Sequence, residues 1–593
     1  MSILFLAAGS IAIFIAIFAN RLGFDRSPGW GRGRLILLFI GLICYGISAL
    51  GPVVKRYLIR REQNQRIASK MQPIFDVVNK IILSPTTEMA FGILICAGIS
   101  IYALWYSSAN RFPAFPVISN DYIQLGEAFL HGQTALLEQP GPELKALANP
   151  YDYQQRLNTP YHWDASYYEG KYYLYWGPVP ALVFAAAEGS AHAPPSASFM
   201  VDLAYIGLSL ILLIIFFLIS RRSFPTAARY SQGLFTLLAL VNLPFLFLLG
   251  NPQIYHTSII FGQFFLLLGL LGWVLYDTFG KAAWLILAGL SWGLAIGSRI
   301  NLAVSVAIYV IFAVIWFGRE SGWKPSWKNE GSLLIPLLLC MAGLGFYNFA
   351  RFGNPFETGQ KYQLTIPTAH STYFSISYLP TNLYTYLIYP INLAGKFPFV
   401  KSTLFDISFL PHWITVPTAM SFDHNIFGVF SSVPGSWLIA LGIPLLILAG
   451  SSVDKHRALP PSNSNRNLLF AMITTAGLGQ FFFLLVFFFG AERYIPDFYI
   501  SLVIGTAMLA WRIDEMIKTR VRIRFVFWLI VTCLTIWTAA IGIFGGFGVP
   551  PELFRSFNPT LYSQIASSWN DRYEAFHAIL TRLLSIFLNR IQP

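Results

Sequence analysis

Charge is scarce in this chain. Asp, Glu, Lys and Arg make up 11% of its 593 residues, against about 25% in an average soluble domain. A soluble enzyme needs far more charge on its surface. The 55% share of apolar residues equally excludes a disordered chain. Cysteine is rarer still. Cys44, Cys96, Cys340 and Cys533 all fall inside apolar stretches, so neither a disulfide framework nor a cysteine metal site is legible. There is no P-loop, no HExxH, no CxxC pair and no G-x-G-x-x-G after a strand. Internal repeats are missing too, which argues against an inverted-repeat transporter.

What is present is long apolar runs. Thirteen approach the length of a transmembrane helix: 2–20, 35–54, 90–108, 199–219, 231–249, 254–276, 281–298, 301–317, 332–350, 432–450, 467–489, 496–511 and 525–547. The expected fold is an all-α polytopic membrane protein. Charge sets its orientation. Loops 55–89, 220–230, 277–281, 318–331, 451–466 and 512–524 carry 22 basic and 9 acidic residues. The remainder carries 18 of each, so the whole net charge of +13 lies on one side. The positive-inside bias makes that side cytoplasmic, and it removes any need for a nucleic-acid partner. Segment 21–34, with Arg21, Arg26, Arg32 and Arg34, runs against the rule.

Two outer loops dominate, 109–198 and 351–431. Loops of that length without structure of their own are uncommon, and both are rich in aromatic residues that favour the bilayer interface. Short interfacial helices are expected in them, and another in the tail 560–590.

In the first of these loops Tyr122, Leu125 and Phe129 recur at helical spacing. Asp121 stands at the start of that helix. A carboxylate there caps free N–H groups or serves as a general base, and the spacing leaves both open. Further on, eight of the twenty residues from Tyr161 to Pro180 are Tyr or Trp. Glu169-Gly170-Lys171 reads as a turn between two extended aromatic arms. Aromatic faces beside Asp164 suit a sugar, whose C–H bonds pack on rings while its hydroxyls need hydrogen bonds. An interfacial aromatic belt is the plainer account.

Three arginines stand where outer loops meet helices: Arg299, Arg351 and Arg493. A charge at that depth needs a partner or water, and a guanidinium fork matches phosphate oxygens. Snorkelling or a local ion pair is the alternative. Tyr122, Trp163, Lys171, Tyr255, His256 and Tyr347 are the candidate sugar or acceptor contacts.

These residues resemble those of the GT-C superfamily of integral-membrane glycosyltransferases, which includes protein O-mannosyltransferases and the aminoarabinose transferases of lipid A. The resemblance rests on the early Asp121 in Asp121-Tyr122-Ile123-Gln124-Leu125-Gly126-Glu127-Ala128 and on Arg493-Tyr494-Ile495-Pro496 before a near-final helix. The stretches Trp163–Pro178 and Arg351-Phe352-Gly353-Asn354-Pro355-Phe356 are similar to bacterial members. The match covers about 90–511, which makes that part the catalytic module. Residues 1–54 are then additional helices, 55–89 a basic cytoplasmic segment and 512–593 the last helix and outer tail.

The resemblance implies a polyprenyl-phosphate sugar as donor, an acceptor hydroxyl or amine, and inversion at the anomeric carbon. It implies that Asp121 is the base. The expected enzyme sits in the plasma membrane with its site outside, where cytoplasmic nucleotide sugars have no access. Asp164 would orient the acceptor or sugar, and Arg299, Arg351 and Arg493 would hold the donor phosphate. The acceptor is a lipid, glycan or protein. No redox cofactor or nucleotide is implied. The family's acidic pair is absent here, with Asn120 and Tyr122 flanking Asp121, and this leaves divalent-metal use open. A polysaccharide polymerase or O-antigen-ligase-like enzyme is the rival reading. A lipid-linked sugar transporter fits less well, because charges cluster at helix ends instead of mid-helix.

Overall fold

A computed structural model describes residues 85–191, 195–324, 326–365, 373–423, 425–439, 462–548, 550 and 552–589. The expected spans 2–20 and 35–54, most of 432–450, the unit 1–54 and most of 55–89 lie outside these residues. Among the described residues eight helices are long and apolar enough to cross a membrane. The protein is therefore built as an integral membrane protein, and the expected thirteen spans are not matched by count.

Helices α1 (Pro85–Ser107), α4 (Ala197–Ser223), α7 (Ile254–Phe279), α9 (Ala303–Ser321), α10 (Trp327–Phe352), α11 (Ser462–Leu485), α12 (Ile495–Ile517) and α13 (Val521–Gly546) supply those spans. Within the outer loops lie α2 (Asp121–Leu130) and α3 (Val179–Ala191). Stretch 231–249, expected as one span, is two helices, α5 (Ser231–Leu240) and α6 (Leu243–Gly250), bent by 55°. The cause is local. Asn242 adopts an extended conformation and its side chain accepts from the Phe245 N–H, while Pro244 sits in the first turn of α6. Proline lacks the donor that a continuous helix would need there. Stretch 281–298 yields α8 (Ala283–Ser298), about 24 Å long at 1.5 Å per residue and shorter than the ~30 Å hydrocarbon core.

Small residues let these helices approach closely. A Cβ on Gly289 of α8 would lie 2.0 Å from the Leu333 carbonyl oxygen of α10. The tail forms one long helix, α14 (Pro559–Asn589), as its alternation predicts.

Segments grouped by the charge count meet in space. In the basic set, Glu88 pairs with Arg221 and Arg229, and Arg466 donates to the Ser223 carbonyl at 3.1 Å. In the near-neutral set, Arg156 of the first large loop donates to the Leu364 carbonyl of the second. Ser166 Oγ donates to the Gly359 carbonyl at 2.8 Å, and Asn558 donates to the Ala109 carbonyl at 2.9 Å.

One basic-side cluster is fully internal. Arg524 grips Asp514 at 2.6 and 2.7 Å, Trp528 Nε1 donates to the same carboxylate at 2.9 Å, and so does the Ala228 N–H at 3.0 Å. Asp514→Ala strands the Arg524 charge and the Ala228 donor. Removing one partner of a buried pair costs about 3–5 kcal/mol. A clear fall in the thermal unfolding midpoint of purified protein is the expected result, and an unchanged midpoint would contradict it.

Candidate active site

The site grows from the start of α2. Asn120 precedes the helix but makes no side-chain capping bond. Asp121 is the first helical residue, and its carboxylate turns away from the helix N–H groups to other partners. Oδ1 meets Nε2 of His162 at 2.6 Å, and Oδ2 accepts from the Ser119 hydroxyl. The opposite nitrogen of His162, Nδ1, meets Glu138 Oε2 at 2.8 Å. The hydrogen bond to the Asp121 carboxylate raises the imidazole pKa to about 9, against the effect of burial, and Glu138 adds to the rise.

The apolar face of α2 anchors this end. Tyr122 and Leu125 are buried, and the Tyr122 hydroxyl donates to the Gly177 carbonyl at 3.3 Å. Phe129 meets the Tyr347 ring edge-on at 5.9 Å. Gly126 lies against α3, where an added Cβ would approach the Ala181 carbonyl oxygen to 3.1 Å.

The aromatic stretch is a hairpin of β1 (Ser166–Tyr168) and β2 (Lys171–Tyr173). Its turn residues Glu169 and Gly170 have φ of 46° and 75°, the paired left-handed conformation that matches strand twist. Asp164 precedes β1 with φ of 60°. That conformation costs an L-residue energy, and the second large loop holds it: the Asp164 N–H donates to Thr365 Oγ1 at 2.9 Å. Burial raises the pKa of Asp164. Arg493 opposes the rise and the Asp121 charge adds to it. The charges of Arg493 and Asp121 thus both act on Asp164.

Arg493 leads into α12. It pairs with Asp423 and lies over the Tyr255 ring at 4.2 Å. Asp423 is placed by a short parallel ladder between β3 (Ser421–Phe422) and β4 (Phe489–Gly490). Arg299 has another partner. Asp497 takes its Nε and Nη2 at 2.7–3.0 Å, Asn301 joins at 2.9 Å, and the guanidinium lies over Tyr494 at 5.0 Å. Arg351 is packed beneath the hairpin. It donates to the Leu174 carbonyl at 2.5 Å and to Asn348 at 2.7 Å, over the Tyr347 ring at 3.9 Å.

The remaining candidates are distributed unevenly. Tyr255 touches Arg493. His256 is buried with Nδ1 on the Asn251 carbonyl, and its Nε2 has no hydrogen-bond partner among the described residues. Trp163 is 64% exposed and stacks on Tyr161, which leaves a face free for a ligand. Lys171 stands exposed beside the hairpin turn.

Sequence reasoning missed His162, Glu138, Asp423 and Asp497. His162 sits between Tyr161 and Trp163 in the aromatic stretch, but nothing local ties it to a carboxylate 41 positions earlier. Asp497 belongs to the Arg493-Tyr494-Ile495-Pro496-Asp497 run. There it reads as a helix-start acid, and its Arg299 partner is 198 positions away.

A divalent metal was left open by the sequence. Among the described residues no three His, Cys, Asp or Glu side chains group as metal ligands. His162 has both nitrogens on carboxylates, so it has no lone pair free for an ion.

Gly177 fixes the junction between the hairpin and the end of α8. A Cβ there would lie 2.0 Å from the Gly297 carbonyl oxygen, two residues before Arg299. Gly177→Ala should cost about 1–3 kcal/mol through overpacking and lower both the unfolding midpoint and activity. Gly170→Ala meets open space and bears only the positive-φ cost, about 1 kcal/mol. Equal effects in thermal melts would refute this ordering.

No family model matches the chain, and no curated protein sequence matches it. Solved structures do. The apo oligosaccharyltransferase of Archaeoglobus fulgidus superposes with a TM-score of 0.42 at 12% identity, covering 80% of this chain and 56% of that one. The same enzyme tethered to an acceptor peptide gives 0.40 at 13% identity, covering 78% and 56%. The archaeal oligosaccharyltransferase AglB from Archaeoglobus fulgidus, in complex with an inhibitory peptide and a dolichol-phosphate, gives 0.40 at 13%, covering 77% and 55%. The chain spans little more than half the length of these structures, and likeness at this level assigns no activity.

Proposed function

We propose that the protein is a membrane glycosyltransferase. It moves a sugar from a polyprenyl-phosphate-linked donor to a hydroxyl or amine acceptor outside the cytoplasm, with inversion. What supports this reading most is the first large loop, where Asp121 meets His162 at 2.6 Å and Asp164 stands two residues on, under the charges of both Asp121 and Arg493.

In this reading an acceptor hydroxyl takes the place of Ser119 on Asp121 Oδ2. The acceptor oxygen attacks the anomeric carbon as the bond to the phosphate oxygen breaks, and that electron pair leaves on the phosphate. The acceptor proton passes to Asp121. The proton moves late, once the forming bond has made the acceptor oxygen acidic. Arg493 meets the charge gathering on the phosphate, where fixed donors contribute most. Arg299, bound by Asp497, steadies Tyr494 beside Arg493. Arg351 shapes the floor under the hairpin. The exposed Trp163 face and Tyr255 offer stacking surface to a sugar, and His256 Nε2 a hydrogen-bonding atom. The basic end faces the cytoplasm of the plasma membrane, and the two large loops face outward.

The test is transfer of labelled sugar from polyprenyl phosphate to endogenous acceptor in vesicles, with mass spectrometry of copurified lipid. A lipid monophosphate monosaccharide and sugar transfer support the proposal. A lipid diphosphate oligosaccharide with no monophosphate transfer overturns it in favour of a polymerase or ligase.

A further inference from the structure

The Asp121–His162–Glu138 chain has a geometry that constrains its protons. Both ring nitrogens of His162 face a carboxylate oxygen, at 2.6 and 2.8 Å. A neutral imidazole has one N–H and one lone pair, so it would set that lone pair against a carboxylate. Only the doubly protonated ring donates to both. Exposure is graded along the chain: the Asp121 side chain is 13% exposed, His162 16% and Glu138 45%. The inner carboxylate belongs to the proposed site, and the outer one meets solvent.

We propose that Glu138 is a positioning residue that acts through His162. It secures the ring as a cation, and the cation keeps Asp121 Oδ1 occupied and Oδ2 turned to the acceptor. This inference rests on the reading of Asp121 as the base. Alone, Asp121 would have to supply the whole stabilisation of the imidazolium. With Glu138 the ring gains a second opposite charge on its far side, and opposite charges at hydrogen-bond distance favour the charged form.

Other groups facing the ring do not compete for this role. Tyr172 of β2 packs on it at 5.7 Å, and the Tyr172 hydroxyl accepts from the His162 backbone N–H at 3.1 Å. Asp164, two residues on, is coupled to Asp121, whose charge adds to burial in raising its pKa. The direction of the pH effect follows. A histidine raised to about 9 contributes its ion pairing fully below the ordinary value near 6.5, and that contribution is lost as pH rises through 9. Turnover should therefore carry an alkaline limb near 9.

Full-length protein in detergent serves for the test. Of the two forms of the ring diethyl pyrocarbonate acylates only the neutral one, so the extent of modification at His162 itself against pH, mapped by mass spectrometry, reports the ring's titration without any assay of transfer. In wild type the midpoint should fall near 9. Glu138→Gln should move it down by about one unit or more, and the alkaline limb of turnover should move with it. Glu138→Asp keeps the charge and should bring both back toward wild type, which a merely structural role for Glu138 would not do. A Glu138→Gln midpoint that coincides with wild type overturns the proposal. If Glu138→Gln fails to fold, Glu138→Ala removes the charge from the same half-exposed position: a midpoint well below wild type supports the proposal, and one that coincides with wild type, or a wild-type midpoint near 6.5, overturns it. The base reading fails separately: Asp121→Asn would then keep its turnover whatever the His162 midpoint does.

Discussion

Asp121→Asn should lower turnover by roughly 10²–10⁴-fold, with expression and donor binding close to normal. Asn has the shape of Asp but cannot take the acceptor proton. The substitution is mild for the helix. Asn is a good residue at a helix start, and the Asp121 carboxylate makes its bonds to Ser119 and His162 instead of capping α2. A large kinetic loss in a protein that melts near the wild-type temperature would separate base from scaffold. Asp164→Asn is the companion variant. Its N–H bond to Thr365 survives the change, so the loop keeps its path, and an orienting residue should lose less activity than a base. Burial raises the Asp164 pKa, so its charge disappears at a higher pH than that of an ordinary carboxylate. Should Asp164→Asn be dead while Asp121→Asn works, the roles are exchanged. Should both work, the acid–base account of this loop is wrong.

Arg493→Ala should weaken donor use by about 10–100-fold in kcat/KM. One charge-assisted hydrogen bond is worth about 1.5–3 kcal/mol, and each 1.4 kcal/mol is tenfold. The side chain is nearly buried, pairs with Asp423 and lies on Tyr255, so its removal also leaves Asp423 without that charge. Asp423→Asn tests how much of the loss comes from the pair. It keeps the arginine and frees its guanidinium, so it should cost less than Arg493→Ala. Arg493→Lys keeps the charge but not the fork and should fall between them. Competition by inorganic phosphate provides an independent readout: Arg493→Ala should be less sensitive than wild type. Equal inhibition of both would remove Arg493 from the phosphate site.

Much of the frame was legible in the sequence because membrane spans are set by length and composition. The runs at 90–108, 254–276 and 525–547 became α1, α7 and α13 almost as read. The hairpin was legible as well, since Glu169-Gly170 is a local signal that acts over two residues. The break at Asn242 was readable in principle from Pro244, but a smooth hydropathy run hid it. The pairings were beyond reach. Arg299 at an outer helix end looks like a free phosphate ligand until Asp497 is brought against it. His162 looks like one more ring in an aromatic stretch until α2 presents Asp121 to it. Such contacts depend on tertiary packing and leave no periodic trace.

The hydrogen bond from Asp164 to Thr365 and the field of Arg493 have a consequence for synthesis. Asp121 leaves the ribosome about 370 residues ahead of Arg493. At ~5–20 residues per second that is a wait of roughly 20–75 s. For about the first two thirds of that wait Thr365, which fixes Asp164, does not yet exist, and Arg493 is missing until its end. If the proposed function holds, a nascent chain lacks the parts needed to spend a donor sugar on water or on a wrong acceptor. On that reading competence arrives with the near-final helix, after the body that shields the site has been inserted.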